Sequence, residues 1–199
     1  MKILLIGSTG NIGQVVDKEL NDDVELIRAS RSSTQFPVDI TSEESIKQLF
    51  ENVGKVDGVI CASGAAHFST VDSLTPEQNQ VAVNSKLLGQ VNLVLLGLDY
   101  INDQGFITLT TGILMDDPIK TAASSAMANG GVAAFVKSAA IELPRGIRIN
   151  HVSPTMLKRA QDKYGGLFQG YYPATDERIG LAYRKSVFGN QTGQAYKVY

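Results

Sequence analysis

The hydrophobic pattern at the start of the chain predicts a buried strand, a glycine turn and a helix in direct succession. Ile3–Ile6 is a continuous apolar run, which is typical of a strand covered on both faces in a parallel sheet. The turn Gly7–Gly13 follows without a gap, and apolar positions then recur at helical spacing up to Leu20. A second apolar strand comes at residues 24–27. Strand, glycine turn, helix and strand within about thirty residues predict the first unit of a dinucleotide-binding fold.

The alternation of apolar strands and helices continues along the rest of the chain. Further strands are predicted at residues 36–40, 56–61, 105–111, 147–152 and 193–198. Helices are predicted after a cap at Thr41 or Ser42, from Thr75 to about Tyr100, and from Thr121 to Leu143. We find no internal repeat or linker, so we predict one domain over residues 1–199. Its expected fold is α/β: a Rossmann-like, doubly wound parallel sheet of about seven strands with helices on both faces.

The glycine turn is the first candidate binding site. Glycines let the backbone approach a pyrophosphate closely, and the following helix offers free N–H groups and a positive dipole end. The spacing is G-x-x-G-x-x-G, and no Lys-Ser or Lys-Thr pair follows it, which argues against a P-loop. A simple tight turn is the alternative, but the position between a buried strand and a helix favours a cofactor. The residues expected to contact it are Gly7, Ser8, Thr9, Gly10, Asn11, Ile12 and Gly13.

The residues after the second strand bear on the choice of cofactor. An acidic side chain there would bind the ribose 2′-hydroxyl of NAD, whereas an arginine suits the 2′-phosphate of NADP. This chain has no acid between Arg28 and Ser33. We expect Arg31, with Ser30 and Ser32, to face the phosphate, the alternative being solvated surface arginines. The prediction is therefore NADP, with NAD less favoured.

Composition narrows the class of protein. The chain has 199 residues, 43% of them hydrophobic, and a formal net charge of −2. It shows no basic surface stripe of the kind that indicates nucleic-acid binding. No uninterrupted apolar run has the length of a membrane span, and Met1 and Lys2 leave no room for a signal peptide, so we expect no membrane partner. Cys61 is the single cysteine, which excludes an internal disulfide and fits a cytoplasmic location.

Several motifs together resemble the short-chain dehydrogenase/reductase superfamily. They are the glycine turn, Thr75-Pro76-Glu77, Gly89, the segments GFITLTT and AAIELPRGIRIN, Asn150-x-Val152-x-Pro154, and Gly193–Val198. The resemblance covers nearly the whole chain, which is about a fifth shorter than is usual. It implies that Asp39 and Ile40 contact the adenine. It also implies that Ala62, Ser63 and Gly64 lie beside the cofactor, and that Pro154 belongs to the same site.

The resemblance breaks at the catalytic positions. The family uses a serine or threonine, a Tyr-x-x-x-Lys motif and an asparagine, with the tyrosine as general acid and base. At the corresponding places this chain has Gly112 preceded by Thr111, then Ser125 and Asn129, and Lys86. Serine is a far weaker acid than a phenol of pKa about 10, so the standard mechanism is not expected. Lys86 would either enter the pocket or lie on the surface with its head in solvent.

Two functions therefore stay open. One is an NADP-dependent oxidoreductase for a small carbonyl or alcohol substrate, with Lys86, Thr111, Ser125 and Asn129 as its candidate catalytic residues. The other is a catalytically inactive NADP(H)-binding sensor or regulatory subunit.

Aromatic residues and glycines between Met156 and Tyr172 predict a lid over the substrate, in which Tyr164 or a neighbour is a candidate for the missing phenol. Members of the resembled superfamily pair through the two apolar helices, so we expect a homodimer or homotetramer.

Overall fold

A computed structural model describes residues 1–199 as six parallel strands flanked by helices. The strands are β1 (Lys2–Ile6), β2 (Glu25–Ala29), β3 (Val56–Cys61), β4 (Ile101–Thr110), β5 (Arg148–Pro154) and β6 (Ala195–Val198). The helices are α1 (Asn11–Leu20), α2 (Glu43–Val53), α3 (Pro76–Ala82), α4 (Gly89–Gly97), α5 (Ala123–Ala139), α6 (Gln161–Tyr164) and α7 (Asp176–Phe188). The predicted α/β fold, a doubly wound parallel sheet, is confirmed.

The strand order places a crevice at the carboxyl ends of β1 and β3. The order is β2-β1-β3-β4-β5-β6, so the chain leaves β1 toward one side of the sheet and returns to β3 on the other. The carboxyl ends of strands at such a switch point are where open α/β sheets bind their ligands. The glycine turn follows β1 at this point, and Ala62–Gly64 follows β3.

The sheet is covered on both faces, which explains its continuous apolar strands. On one face, α2, α4 and α5 bury a cluster of 22 residues that includes Phe50, Leu93 and Val136. On the other face, α1 and α7 bury a cluster of 14 residues around Val16 and Tyr183. Both faces of the central strands are therefore withdrawn from water, as the pattern predicts.

The number of strands is six, because residues 36–40 do not form the predicted strand. They make one isolated bridge, between Ser30 and Pro37, and a hydrogen bond in which the Val38 N–H donates to Ser30 O at 3.1 Å. Pro37 has no N–H to continue a ladder. Val38 and Ile40 are nevertheless buried, so the segment packs against the sheet without extending it.

The long apolar helix is interrupted by a different helical geometry. Val83–Leu88 forms a π-helical segment between α3 and α4, and Lys86 lies within it. Such segments are rare and frequently occur at functional sites. The continuous helix Pro76–Tyr100 is long and apolar enough to pass a test for a membrane span by length and composition, a test that core helices of soluble proteins also pass. Polar residues such as Asn84 interrupt it in sequence, so it contains no uninterrupted apolar run of membrane-spanning length.

Candidate active site

The glycine turn is packed so tightly that two of its glycines leave no room for a side chain. Gly7 has φ +84°, and a Cβ there would lie 2.8 Å from Ala62 O. A Cβ on Gly13 would lie 2.0 Å from Gly7 O. Helix α1 then begins at Asn11 with no side-chain cap, so the N–H groups of its first turn are left for an anionic ligand.

A cleft of about 950 Å³ opens in front of this turn. Most of the residues predicted to bind the cofactor line it: Gly7, Thr9, Gly10, Ser30, Arg31, Ser32, Asp39, Ile40, Ala62, Ser63 and Gly64. Ile12 and Pro154 line an adjoining pocket, which shares Gly64 with the cleft. Ser8, Asn11 and Gly13 line neither space: the Ser8 hydroxyl donates to Ala29 O at 3.3 Å, and Gly13 lies against Gly7.

The two arginines after β2 have different surroundings. Arg28 is held by Asp17 of α1, to which its Nε and Nη2 donate at 2.7–3.0 Å. Arg31 is exposed, makes no hydrogen bond or ion pair within the chain, and lines the cleft beside Ser30 and Ser32. Hydrogen bonds from the Thr41 backbone and hydroxyl lower the pKa of Asp39, to which the Arg31 charge also contributes. The free cation at this end of the cleft is thus Arg31.

The four candidate catalytic residues come together in the adjoining pocket, whose volume is about 230 Å³. Lys86, Thr111, Ser125 and Asn129 all line it, and so does Gly112. Asn129 Nδ2 donates to Ser125 Oγ at 3.4 Å. Its Oδ1 is buried without a partner, as is Thr155 Oγ1 in the same pocket. Unpaired buried polar atoms are costly, and both of these belong to residues that line the pocket.

Lys86 lines this pocket and is half-buried, which agrees with the first of the two placements that the sequence left open. A Cβ on Gly64 would lie 2.6 Å from Lys86 Cδ, which means that the lysine stem runs along the turn after β3. Burial lowers the pKa of Lys86 to about 8, and the neighbouring Cys61 opposes this only in part. Burial also raises the pKa of the Cys61 thiol to about 11. An ammonium that titrates near neutral pH is suited to acid catalysis.

His151 is a site neighbour that the sequence did not indicate. Its Nδ1 lies 2.7 Å from Thr111 Oγ1, and burial lowers its pKa to about 4 despite the nearby charge of Asp116. The imidazole is therefore neutral at pH 7, and its hydrogen bond fixes the orientation of the Thr111 hydroxyl. The register of β4 and β5 pairs Leu109 with His151, which brings the ring next to residue 111.

The lid provides apolar cover to the pocket and no phenol. Phe168 lines the pocket, while Tyr164 is 39% exposed and lies outside it. The Tyr171 hydroxyl donates to Asp117 O at 3.3 Å. None of the lid tyrosines lines the pocket, so the structure does not supply the missing tyrosine from this segment.

Arg159 of the lid is the second residue that the sequence analysis missed. Its Nη2 donates to Asn11 O at 2.8 Å, and its Nε pairs with Asp176 at 3.3 Å. The guanidinium therefore lies at the N-terminus of α1, close to the glycine turn. No local sequence signal marks it, since 148 residues separate the two partners.

The site fits a nicotinamide dinucleotide along its whole length. The cleft has a cation and hydroxyls at one end, an uncapped helix start behind a glycine turn in the middle, and a pocket with unpaired polar atoms at the other end. The chain shows no cluster of metal-ligating side chains.

Comparison with known proteins gives the family. A family model described as enoyl-(acyl carrier protein) reductase matches residues 12–183. The chain belongs to the short-chain dehydrogenase/reductase superfamily. Among proteins with curated annotation, none matches the chain.

Solved structures agree with this membership. The protein lin1944 from Listeria innocua is 55% identical over the full length of both chains, with a TM-score of 0.98. A small-chain dehydrogenase in complex with NADPH is 27% identical, with a TM-score of 0.89, and the match covers 100% of this chain and 96% of that one. A short-chain dehydrogenase from Mycobacterium smegmatis, at 20% identity and a TM-score of 0.84 over 100% and 91% of the two chains, shares the fold. This is a superfamily of oxidoreductases whose members are generally soluble.

Proposed function

We propose that this short-chain dehydrogenase/reductase is an NADP(H)-dependent oxidoreductase that acts on a small carbonyl or alcohol through a non-standard active site. One observation carries the proposal: the cleft that holds Arg31 adjoins, at Gly64, the pocket in which Lys86, Thr111, Ser125 and Asn129 converge. An extended dinucleotide would place its adenosine end in the cleft beside Arg31 and its nicotinamide end in the adjoining pocket.

The preference for NADP over NAD rests on the residues after β2. Arg31, Ser30 and Ser32 offer a guanidinium and two hydroxyls, and no carboxylate follows the strand to bind a 2′-hydroxyl. The NADPH complex of the 27% identical dehydrogenase supports the same cofactor.

The chain's own residues would act on the substrate oxygen. A bound nicotinamide supplies or accepts the hydride. The positive charge of Lys86 stabilises negative charge on the substrate oxygen. The Lys86 ammonium also donates the proton that this oxygen takes up. Thr111, held by His151, and Ser125 offer hydroxyls to the same oxygen, and Phe168 and Leu114 exclude water. Since the protonated amine is needed for reduction, activity in that direction should fall as pH rises through about 8.

The alternative function is an NADP(H)-binding sensor without turnover. It is favoured by Ser125 and Asn129, which stand where the family has tyrosine and lysine and which hydrogen-bond each other. Consumption of NADPH with a panel of small aldehydes, ketones and oxo acids distinguishes the two. Turnover supports the enzyme, whereas tight NADPH binding with no turnover supports the sensor.

Substitution of Ser125 by alanine tests whether this serine replaces the tyrosine. We expect kcat to change by less than about threefold, because an aliphatic hydroxyl is a poor general acid. Steady-state kinetics on the pair of proteins measures this. A loss of about a hundredfold or more would assign the proton transfer to Ser125 instead.

Substitution of Arg159 by methionine tests whether the lid contributes a cation to the pyrophosphate. We expect NADP⁺ to bind about tenfold more weakly, in line with one charge-assisted hydrogen bond, and 2′-AMP, which lacks the pyrophosphate, to bind as before. Calorimetry with both ligands measures this, and Arg178→Met on α7 is the matched control. If NADP⁺ and 2′-AMP both bind more weakly by the same factor, Arg159 supports the fold of the site and does not contact the pyrophosphate.

Self-association is proposed on the basis of the apolar residues that the helices leave exposed. Val81, Leu88, Leu95 and Met127 are each more than 40% exposed on the helices before and after β4. A Cβ on Gly130 would meet nothing within 4 Å, so this glycine faces open space. We expect light scattering to give at least twice the monomer mass of 21.4 kDa. A monomer at micromolar concentration would refute the dimer and tetramer alike.

We also propose a cytoplasmic location. It rests on the one buried, unpaired cysteine, Cys61, which suits a reducing compartment.

A further inference from the structure

The charge of Lys86 has no partner in the chain. Its Nζ takes part in none of the six ion pairs and makes no hydrogen bond. The pocket around it contains no aspartate, glutamate or histidine. Cys61, behind the pocket on β3, is the one titratable group that acts on it, and that thiol is neutral at pH 7. A partly buried ammonium without a counter-ion is unfavourable, and an anionic ligand would relieve this cost.

The rest of the pocket limits what such an anion can be. Its volume of about 230 Å³ admits only a small molecule beside a nicotinamide. Its other polar groups are neutral, namely the hydroxyls of Thr111, Ser125 and Thr155 and the amide of Asn129, and its remaining walls are largely apolar. A ligand with one charged group and one neutral polar group on a short carbon frame would match this arrangement.

The lid also carries more cations than anions. Lys158 and Lys163 form no ion pair, Arg159 pairs with Asp176 of α7, and Asp162 is the single acid within the lid. Cations at the mouth of a cleft raise the local concentration of anionic substrates.

We propose that the substrate is a small oxo acid or the corresponding hydroxy acid, with its carboxylate bound by Lys86. This inference rests on the proposed oxidoreductase function and names its substrate class. In a 2-oxo acid the carboxylate and carbonyl oxygens lie side by side, and an ammonium with three N–H donors can contact both. Lys86 would thus orient the substrate by its carboxylate and polarise the carbonyl that is reduced.

The test uses oxamate, an unreactive oxo-acid analogue, and its neutral ethyl ester. Both are titrated by calorimetry into the NADP⁺-saturated protein and into the cofactor-free protein, for the wild type, Lys86→Met, Lys86→Arg and the surface control Lys47→Met. We expect oxamate to bind at least about tenfold more tightly than the ester, which corresponds to one favourable charge contact. The preference should disappear in Lys86→Met and persist in Lys86→Arg and Lys47→Met.

The pH dependence of oxamate binding gives a second readout. A purely structural role of Lys86 would not produce it. Oxamate keeps its charge above pH 7, so its affinity should fall by up to about tenfold per pH unit above the Lys86 pKa of about 8, and the fall should be absent in Lys86→Arg. Equal affinities for oxamate and ester, or a preference that survives Lys86→Met, would overturn the inference. If NADPH itself fails to bind, the proposed function fails, and the cofactor-free titration still decides the anion preference.

Discussion

Substitution of Lys86 by methionine is expected to lower kcat/KM for carbonyl reduction by about a hundredfold to a thousandfold, the usual effect of removing one preorganised group that stabilises charge on the reacting oxygen. Methionine keeps most of the stem that packs against Gly64, so the fold should be preserved while the charge is lost. Steady-state kinetics with NADPH and the substrates found in the panel measure the change.

Two further variants separate the roles of Lys86. Lys47→Met removes an exposed lysine of α2 and should leave the kinetics unchanged. Lys86→Arg keeps a charge that does not titrate below about pH 12, so it should retain binding while losing proton donation, which appears as a lower kcat with a similar KM. Wild-type kinetics in Lys86→Met would contradict any catalytic role for this residue.

Substitution of Arg31 by alanine should remove most of the preference for NADPH. A charged hydrogen bond to the 2′-phosphate contributes about 1.5–3 kcal/mol, so the dissociation constant for NADPH should rise by about 10- to 100-fold. NADH, which lacks this phosphate, should bind as before. Fluorescence or calorimetric titration of both cofactors gives the ratio.

Arg28→Ala is the matched control for the cofactor preference. Arg28 pairs with Asp17 at the surface, so its loss should cost at most about 1 kcal/mol of stability and leave the preference intact. Equal affinities for NADPH and NADH in the wild type, or an unchanged ratio in Arg31→Ala, would show that the residues after β2 do not select the phosphate.

The sequence predicted the fold well where the pattern was continuous. The apolar run Ile3–Ile6 and the segment 56–61 became central strands covered on both faces. The strand predicted at residues 36–40 was wrong. Two buried apolar side chains in an extended segment resemble a strand, but Pro37 prevents a continuous hydrogen-bond ladder with β2. Helix α7 was not predicted, although Ile179, Tyr183 and Val187 have the spacing of a buried helical face.

The site was predicted in part, for reasons of geometry. The glycine turn and Arg31 follow strands directly, so their place at the carboxyl edge of the sheet could be inferred. Lys86 could not be placed, because a π-helical segment shifts the helical register and regular spacing no longer tells which face a residue occupies. The contacts of His151 with Thr111 and of Arg159 with Asn11 join distant parts of the chain, and no local pattern indicates them.

The most direct test of the central claim is isotope transfer from NADPH that carries deuterium at both hydrogen positions of C4 of the nicotinamide. If this protein is an oxidoreductase, the label should appear on the former carbonyl carbon of the product, one equivalent for each NADPH consumed. NADPH that binds tightly while no label reaches any member of the carbonyl panel would contradict the account and favour the sensor.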